Sequence, residues 1–168
     1  MPTSPTAKGL DAPQSSSSQT ENGGRKLSNF LCFAIYSANL AFGRAYKPIL
    51  DKLGLTYTQY VAMVALSEED DQTVGTLGEK LFLESNTLTP ILKKLESEGY
   101  LQRRRDPADE RQVRVTLTPA GRKLVEMDPG AALTDAIGLG DEFPVVQQTV
   151  AQLRDNLLRA TQAGSEKV

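Results

Sequence analysis

One thiol and no imidazole set the limits of the chemistry open to this chain. It has a single cysteine, Cys32, and no histidine. Ser-His-Asp and Cys-His catalytic arrangements are therefore excluded, as is a His-bearing zinc site, and no disulfide can close within one chain. Cys32 lies in Phe30-Leu31-Cys32-Phe33-Ala34 and begins a row at helical spacing with Tyr36, Asn39, Gly43 and Tyr46. A thiol reacts as its thiolate. No Lys or Arg is near in sequence to hold that charge, but phenol hydroxyls can, because hydrogen bonds donated to a charged form favour it. Tyr36 is one helical turn away and can reach from the same chain. Tyr46 lies about 21 Å along a continuous helix at 1.5 Å per residue. It can reach Cys32 only from a second chain whose first helix runs antiparallel. The same apolar pattern also fits a buried cysteine that acts as a small, inert hydrophobe.

A second chemistry lies in Ser85–Gly99, SNTLTPILKKLESEG. Leu88, Ile91, Leu92 and Leu95 make one apolar helical stripe. Ser85, Asn86 or Thr87 can cap its start, and Gly99 can supply the left-handed residue that ends it. Away from the stripe, Asn86, Thr89, Pro90 and Lys93 form a short, polar, positive face with little bulk. Such a face suits a DNA major groove; alone it also fits an ordinary amphipathic surface helix. Lys93, Lys94, Arg103, Arg104 and Arg105 follow closely, whereas Leu66–Glu84 is rich in acid. A local basic patch on a chain of net charge -2 fits site-specific DNA binding better than general coating of nucleic acid.

These residues need a scaffold, and the chain has the length for one domain with a substantial core. Residues 1–26 are rich in Ser, Pro, Thr and Gly and read as a disordered tail. Ser28 is expected to cap a helix to about Tyr46, with Leu27, Phe30, Leu31, Ala34, Ile35, Ala38, Phe42 and Ala45 on a broad buried face; Pro48 ends or bends it. Thr56–Gln59 has capping-box spacing ahead of the apolar run Tyr60–Leu66, a buried central helix. Glu68–Gln72 reads as a solvated turn. Val74, Leu77 and Leu81 mark a short helix which, with Ser85–Gly99, makes a helix-turn-helix. Tyr100–Arg105 and Val113–Leu117 read as a β-hairpin about a turn at Asp106–Glu110, hence a wing. Thr118-Pro119 starts a further helix, interrupted at Asp128-Pro129-Gly130. A last helix from Phe143 to about Gln162 carries the narrow seam Val146, Val150, Leu153 and Leu157, suited to a partner subunit. The expected fold is mainly α with a small β-wing. A winged helix-turn-helix (core about 56–127) sits within residues 27–162 with N- and C-terminal dimerisation helices, and 163–168 form a flexible end. No apolar run nears the roughly 18 residues a bilayer span requires, and no signal-peptide core is present, so the expected location is cytoplasmic.

With these elements in place, the chain resembles the MarR family of winged-helix transcription regulators over about Ser28–Gln162. Its most specific piece is Asp109-Glu110-Arg111 followed by Leu117-Thr118 and Gly121, matching the family's D-x-R and L-T-x-x-G. The resemblance implies that Arg111 enters the minor groove at the wing tip, steadied by Asp109; a narrow minor groove concentrates negative potential that Arg can meet. Within the family the chain is similar to organic-hydroperoxide sensors of the OhrR type. It carries L-C-F-x-x-Y at Leu31–Tyr36, Tyr46-Lys47-Pro48, L-T-Y-x-Q-Y at Leu55–Tyr60 and T-L-T-P-x-L-K-K-L at Thr87–Leu95. That resemblance implies a peroxide-reactive thiol at Cys32, surrounded by Tyr36, Tyr46 and Tyr57. Other members carry a resolving cysteine further along; this chain has none.

The expected function is thus a dimeric repressor on double-stranded operator DNA, needing no cofactor or metal and having no membrane partner. Asn86, Thr87, Thr89 and Pro90 would read bases, with Ser85 also at the DNA-binding end, while Lys93, Lys94, Arg103 and Arg105 hold phosphates. An organic hydroperoxide would enter an apolar pocket lined from Phe30–Tyr36 and oxidise Cys32; lasting inactivation would then need a low-molecular-weight thiol, which the single cysteine favours, a Cys32–Cys32 link between subunits, or over-oxidation. Two rivals stand beside it. One is a MarR-type repressor released by a non-covalent small aromatic ligand, with Cys32 structural. The other is a one-cysteine peroxidase, which would need acid–base machinery without any histidine.

Overall fold

A computed structural model describes residues 26–165 of the chain; the expected tail lies outside these residues save for Lys26. A division after Ser37 separates two compact units, each described by itself. In the first, a short 3-10 turn at Leu27–Asn29 precedes helix α1, Leu31–Leu50, which continues into the second unit. Ser28 does not cap α1: it belongs to the preceding turn, and its hydroxyl meets Asn29. Nor does Pro48 end the helix, which runs two residues beyond it. The expected buried face of α1 is also absent from the single chain. Leu31 and Phe42 are exposed, and Leu50 is the buried residue of this helix. Periodicity reports that a face is apolar, not that its cover comes from the same chain.

The second unit is built on the apolar runs. Helix α2, Tyr57–Glu68, starts at a complete capping box: Gln59 N–H donates to the Thr56 hydroxyl at 3.3 Å, and Thr56 N–H donates to Gln59 Oε1 at 2.7 Å. Its Tyr60, Ala62, Met63 and Leu66 are buried. After it, β1 (Gln72–Thr73), α3 (Val74–Leu81) and α4 (Ser85–Ser97) follow in quick succession. The expected solvated turn at Glu68–Gln72 ends instead in a buried strand residue. The Gln72 amide donates to the Ala65 and Glu69 carbonyls, satisfying the last turn of α2. Strands β2 (Leu101–Arg105) and β3 (Val113–Leu117) form the hairpin, and β1 joins it antiparallel, giving the order β1-β3-β2.

Leu77, Leu88, Leu92, Leu95, Leu101, Val115 and Leu117 meet α2 in one core. Helix α5, Pro119–Glu126, is capped by the Thr118 hydroxyl and closes that core with Leu124. Helix α6, Ala131–Ile137, was not expected from the sequence, being only seven residues long. Helix α7, Phe143–Ser165, extends into the segment expected to be a flexible end. The seam residues Val146, Val150 and Leu157 are exposed. Arg154 of α7 lies over the Phe82 ring in the α3–α4 turn, 4.6 Å from its centroid.

Candidate functional site

The α4 stripe is buried through Leu88, Leu92 and Leu95, which turns Ser85, Asn86, Thr87, Pro90 and Lys93 outward; Thr89 is half-buried. None of the three expected caps fills that role. The cap position is Glu84, whose carbonyl takes the Thr87 and Leu88 N–H groups and whose side chain makes no cap bond to the backbone. The first turn therefore lacks a side-chain cap, and helix N–H groups left this way are suited to an anion. Beside it, Ser85, Thr89, Arg103, Arg111 and Thr73 help line a concavity of about 360 Å³ between α4 and the wing.

At the wing tip Asp109 acts through the backbone. Its carboxylate accepts the Arg111 N–H at 3.0 Å and the Gln112 amide at 3.1 Å, which shapes the turn that carries the Arg111 side chain. Three of the expected phosphate contacts are otherwise engaged. Arg103 gives Nε and Nη2 to Glu96 at 2.9 and 2.6 Å, tying β2 to α4. Lys94 pairs with Glu98 at 3.0 Å. Arg105 donates to the Glu110 carbonyl across the hairpin at 2.9 Å. The carboxylate of Glu96 is held below its ordinary range by its hydrogen bond from the Arg103 side chain.

The wing is anchored by residues that the sequence presents as a solvated turn. Asp71 takes φ 56°, a conformation Asp tolerates. From there it meets Arg104 at 2.9 Å and Arg114 at 3.0 Å, while Asp106 meets Arg114 from the other side at 3.0 Å. Asp70 accepts the Leu117 N–H at 3.0 Å and pairs with Arg122. Arg114 and Arg104 hold the Asp71 carboxyl below its ordinary value. The Ala108 N–H, then Arg114, do the same for Asp106. For Asp70, burial raises the value, but the Leu117 N–H and Arg122 outweigh it. Nothing local in the sequence announces these pairs, since Asp71 and Arg114 are 43 positions apart.

The second candidate region is the thiol and the phenols. In the first unit Cys32 is a free, exposed thiol, and Tyr36 is exposed one turn on, its ring 6.4 Å from that of Phe33. The exposure removes the reading of Cys32 as a hydrophobe buried within its own chain. In the second unit Tyr46 and Tyr57 lie together, ring centroids 4.9 Å apart, and Tyr60 is 6.1 Å from Tyr46. The sequence placed Tyr46 and Tyr57 around a thiol; Tyr60, Asp128 and Gly130 were missed, because only the tertiary fold brings them there. Burial raises the Tyr46 hydroxyl above its ordinary value, with Tyr57 and Asp128 adding to it; burial and then Asp128 do the same at Tyr60. Both remain protonated donors at neutral pH. An apolar groove of about 270 Å³ runs between α1 and α6, lined by Ala38, Ala41, Phe42, Ala45, Leu133, Ala136 and Ile137. It lies further along α1 than the Phe30–Tyr36 lining expected for the peroxide pocket. Among the described residues no cluster of acids and Cys could hold a metal ion, and no helix is long and apolar enough to cross a membrane.

Comparison with known proteins bears on both regions. A family described as "Transcriptional regulator SarA/Rot" matches residues 44–127. The HTH-type transcriptional regulator TtmR of Methylorubrum extorquens is 43% identical over 155 residues, covering 89% of this chain and 72% of that protein. The organic hydroperoxide resistance transcriptional regulator of Bacillus subtilis is 39% identical over 135 residues, covering 79% of this chain and 92% of that one. Among solved structures, reduced AbfR bound to DNA superposes with a TM-score of 0.66 at 37% identity, covering 79% of this chain and 96% of that one.

Proposed function

The chain belongs to the SarA/Rot and MarR group of winged-helix transcription regulators, which are not enzymes, and from that membership we propose that it is a dimeric repressor switched by organic hydroperoxides at Cys32. The DNA-reading core spans about 56–127, framed by dimerisation helices within 27–162. Ser85, Asn86, Thr87, Thr89 and Pro90 enter a major groove, and Arg111 enters the adjacent minor groove. Lys93 and the uncapped first turn of α4 take phosphates; Lys94, Arg103 and Arg105 join them where their present partners yield. Support comes from the outward face of α4, from the concavity between α4 and the wing, and from the DNA-bound relative.

The observation that carries the switch is an exposed Cys32 in a chain whose Tyr46 and Tyr57 stand paired and available. Read as residues of one continuous helix, Leu31–Leu50, Cys32 and Tyr46 are too far apart for a side chain to span, and in this reading Tyr46 meets the thiol of a second copy. Tyr36, with Tyr46 and Tyr57 of a second copy, donates hydrogen bonds that favour the thiolate. The sulfur attacks one peroxide oxygen and the O–O bond breaks. The second oxygen takes a proton and leaves as the alcohol, and Cys32 becomes a sulfenic acid. A low-molecular-weight thiol then condenses with it, releasing water and leaving a mixed disulfide. The added polar bulk disrupts the phenol contacts and favours a form with misplaced reading heads.

Cys32→Ser protein tests this directly in an operator-binding assay with cumene hydroperoxide. The wild type should release DNA and regain it on reduction, while the mutant stays bound; release persisting in the mutant removes Cys32 from the mechanism. The groove between α1 and α6 favours one second reading, release by a non-covalent aromatic ligand. In that case a thiol reductant would not restore binding.

A further inference from the structure

The corner joining α5 to α6 has no part in the switch as described so far, yet it backs the phenols. Asp128 takes φ 39°, and Ala131 N–H donates to its carbonyl at 3.0 Å, turning the chain sharply into α6. A Cβ at Gly130 would lie 2.7 Å from Tyr46 Oη, 3.1 Å from Cε1 and 3.3 Å from Cζ. The rim of the Tyr46 ring therefore rests on bare glycine backbone, and any side chain there would push the hydroxyl aside. Asp128 and Gly130 also act on the Tyr60 hydroxyl, which burial and then the Asp128 carboxylate raise above its ordinary value while the Gly130 N–H lowers it. The ring of Tyr60 in turn stands 6.1 Å from that of Tyr46, whose other neighbour is Tyr57 at 4.9 Å.

We propose that this corner positions the phenol donors: Gly130 sets where the Tyr46 hydroxyl lies, and Asp128, through its action on the Tyr60 hydroxyl, steadies the neighbouring ring. The proposal rests on the reading of Tyr46 and Tyr57 as donors to Cys32 of a second copy. A phenol stabilises a thiolate only if its O–H points at the sulfur, and a misplacement near 1 Å can cost on the order of 100-fold in rate. Tyr46 has two side-chain torsions and partial exposure, so its own torsions do not fix it; its neighbours Tyr57, Tyr60 and Gly130 do. Asp128 adds a second effect, because a carboxylate nearby disfavours phenolate at Tyr46 and Tyr60, beyond what burial does.

The test uses the full-length chain and compares Tyr46→Phe, Gly130→Ala, Asp128→Asn and the Tyr46→Phe/Gly130→Ala pair. Two quantities are read: the rate of Cys32 oxidation by cumene hydroperoxide, and the pH titrations of the thiol and the phenols by ultraviolet absorbance. Tyr46→Phe and Gly130→Ala should each slow oxidation on the order of 10- to 100-fold and raise the thiol midpoint. The pair should be no slower than Tyr46→Phe alone, since both remove one hydroxyl from its place. Asp128→Asn should slow oxidation and bring part of the signal from the five tyrosines to lower pH, which a merely structural residue would not do. If Tyr46→Phe slows oxidation while Gly130→Ala and Asp128→Asn leave rate and titrations unchanged, the corner proposal is overturned and the donor reading stands. If Tyr46→Phe itself has no effect, the donor reading fails and the proposal falls with it. Should Gly130→Ala not fold, Asp128→Asn decides alone.

Discussion

The reading head and the long helices solve opposite problems. Around α2, α3, α4 and the wing, the large apolar side chains Leu66, Leu77, Leu88, Leu92 and Leu95 are fully covered, and the wing is anchored by paired charges. Along α1 and α7, Leu31, Tyr36, Phe42, Val146 and Leu157 are left open by their own chain. A head that is complete in one chain can be moved as a rigid piece. Helices that are incomplete in one chain are suited to be where two copies meet, and hence where the spacing of two heads is set. Cys32, Tyr36 and Tyr46 lie on α1, while Tyr57 and Tyr60 lie on α2 of the head, so the proposed switch would draw on residues of both.

The sharpest way to break this contrast is to cut one leucine on each side. Leu92 is 0% exposed in the core of the head, and Leu92→Ala should cost about 2–5 kcal/mol at any protein concentration. Leu157 is 59% exposed, so Leu157→Ala should act only through association. Its unfolding midpoint should drop most at low concentration and recover as concentration rises. Denaturant titrations across a concentration series decide between the two behaviours. Equal, concentration-independent losses would mean that both leucines do the same job.

A smaller effect separates reading from assembly within the head. Arg111 stands at the wing tip, with its backbone shaped by Asp109 and its side chain outside the core. Arg111→Ala should weaken operator binding by about 1–3 kcal/mol, with sedimentation and melting unchanged. Unaltered affinity at physiological salt would refute the minor-groove role; altered sedimentation would show the wing taking part in assembly.

How far the sequence revealed these regions depended on whether the cause was local. The α2 capping box, the α4 stripe and the alternation of Val113, Val115 and Leu117 are carried by neighbouring residues, and all three are seen in the structure. Strand β1 is two residues long and exists only because Gln72 pairs with Val115, so no window of sequence contains its reason. Helix α6 is short and follows a Pro-Gly break that reads as loop. Arg103 looked like an open cation because Glu96, its partner, lies on the preceding helix seven residues back. Tyr46 and Tyr57 were legible through spacing and resemblance, while Asp128 and Gly130 matter only through a close approach that folding creates.

The finest expected effect is a difference in which end of the pH scale loosens each region. Asp70, Asp71 and Asp106, which anchor the wing, have folded values below the ordinary 3.8. A depressed acid contributes stability that is present above its unfolded value and lost as pH falls through the folded one. The wing should therefore loosen first as pH drops below about 3.8. Tyr46 and Tyr60 have folded values above the ordinary 10.0. For a raised group the sign reverses: the contribution is full below the unfolded value and is lost as pH climbs through the folded one. The contacts of α1 with the Asp128–Gly130 corner should therefore loosen on the alkaline side, above about pH 10. Amide-resolved exchange or NMR line positions of β2 and β3 against those of α6 would show the two transitions. Asp71→Asn should blunt the acid transition and leave the alkaline one alone. A single transition shared by both regions would mean that the head and the helices do not open independently, and the contrast between a self-sufficient reader and a dependent frame would be lost.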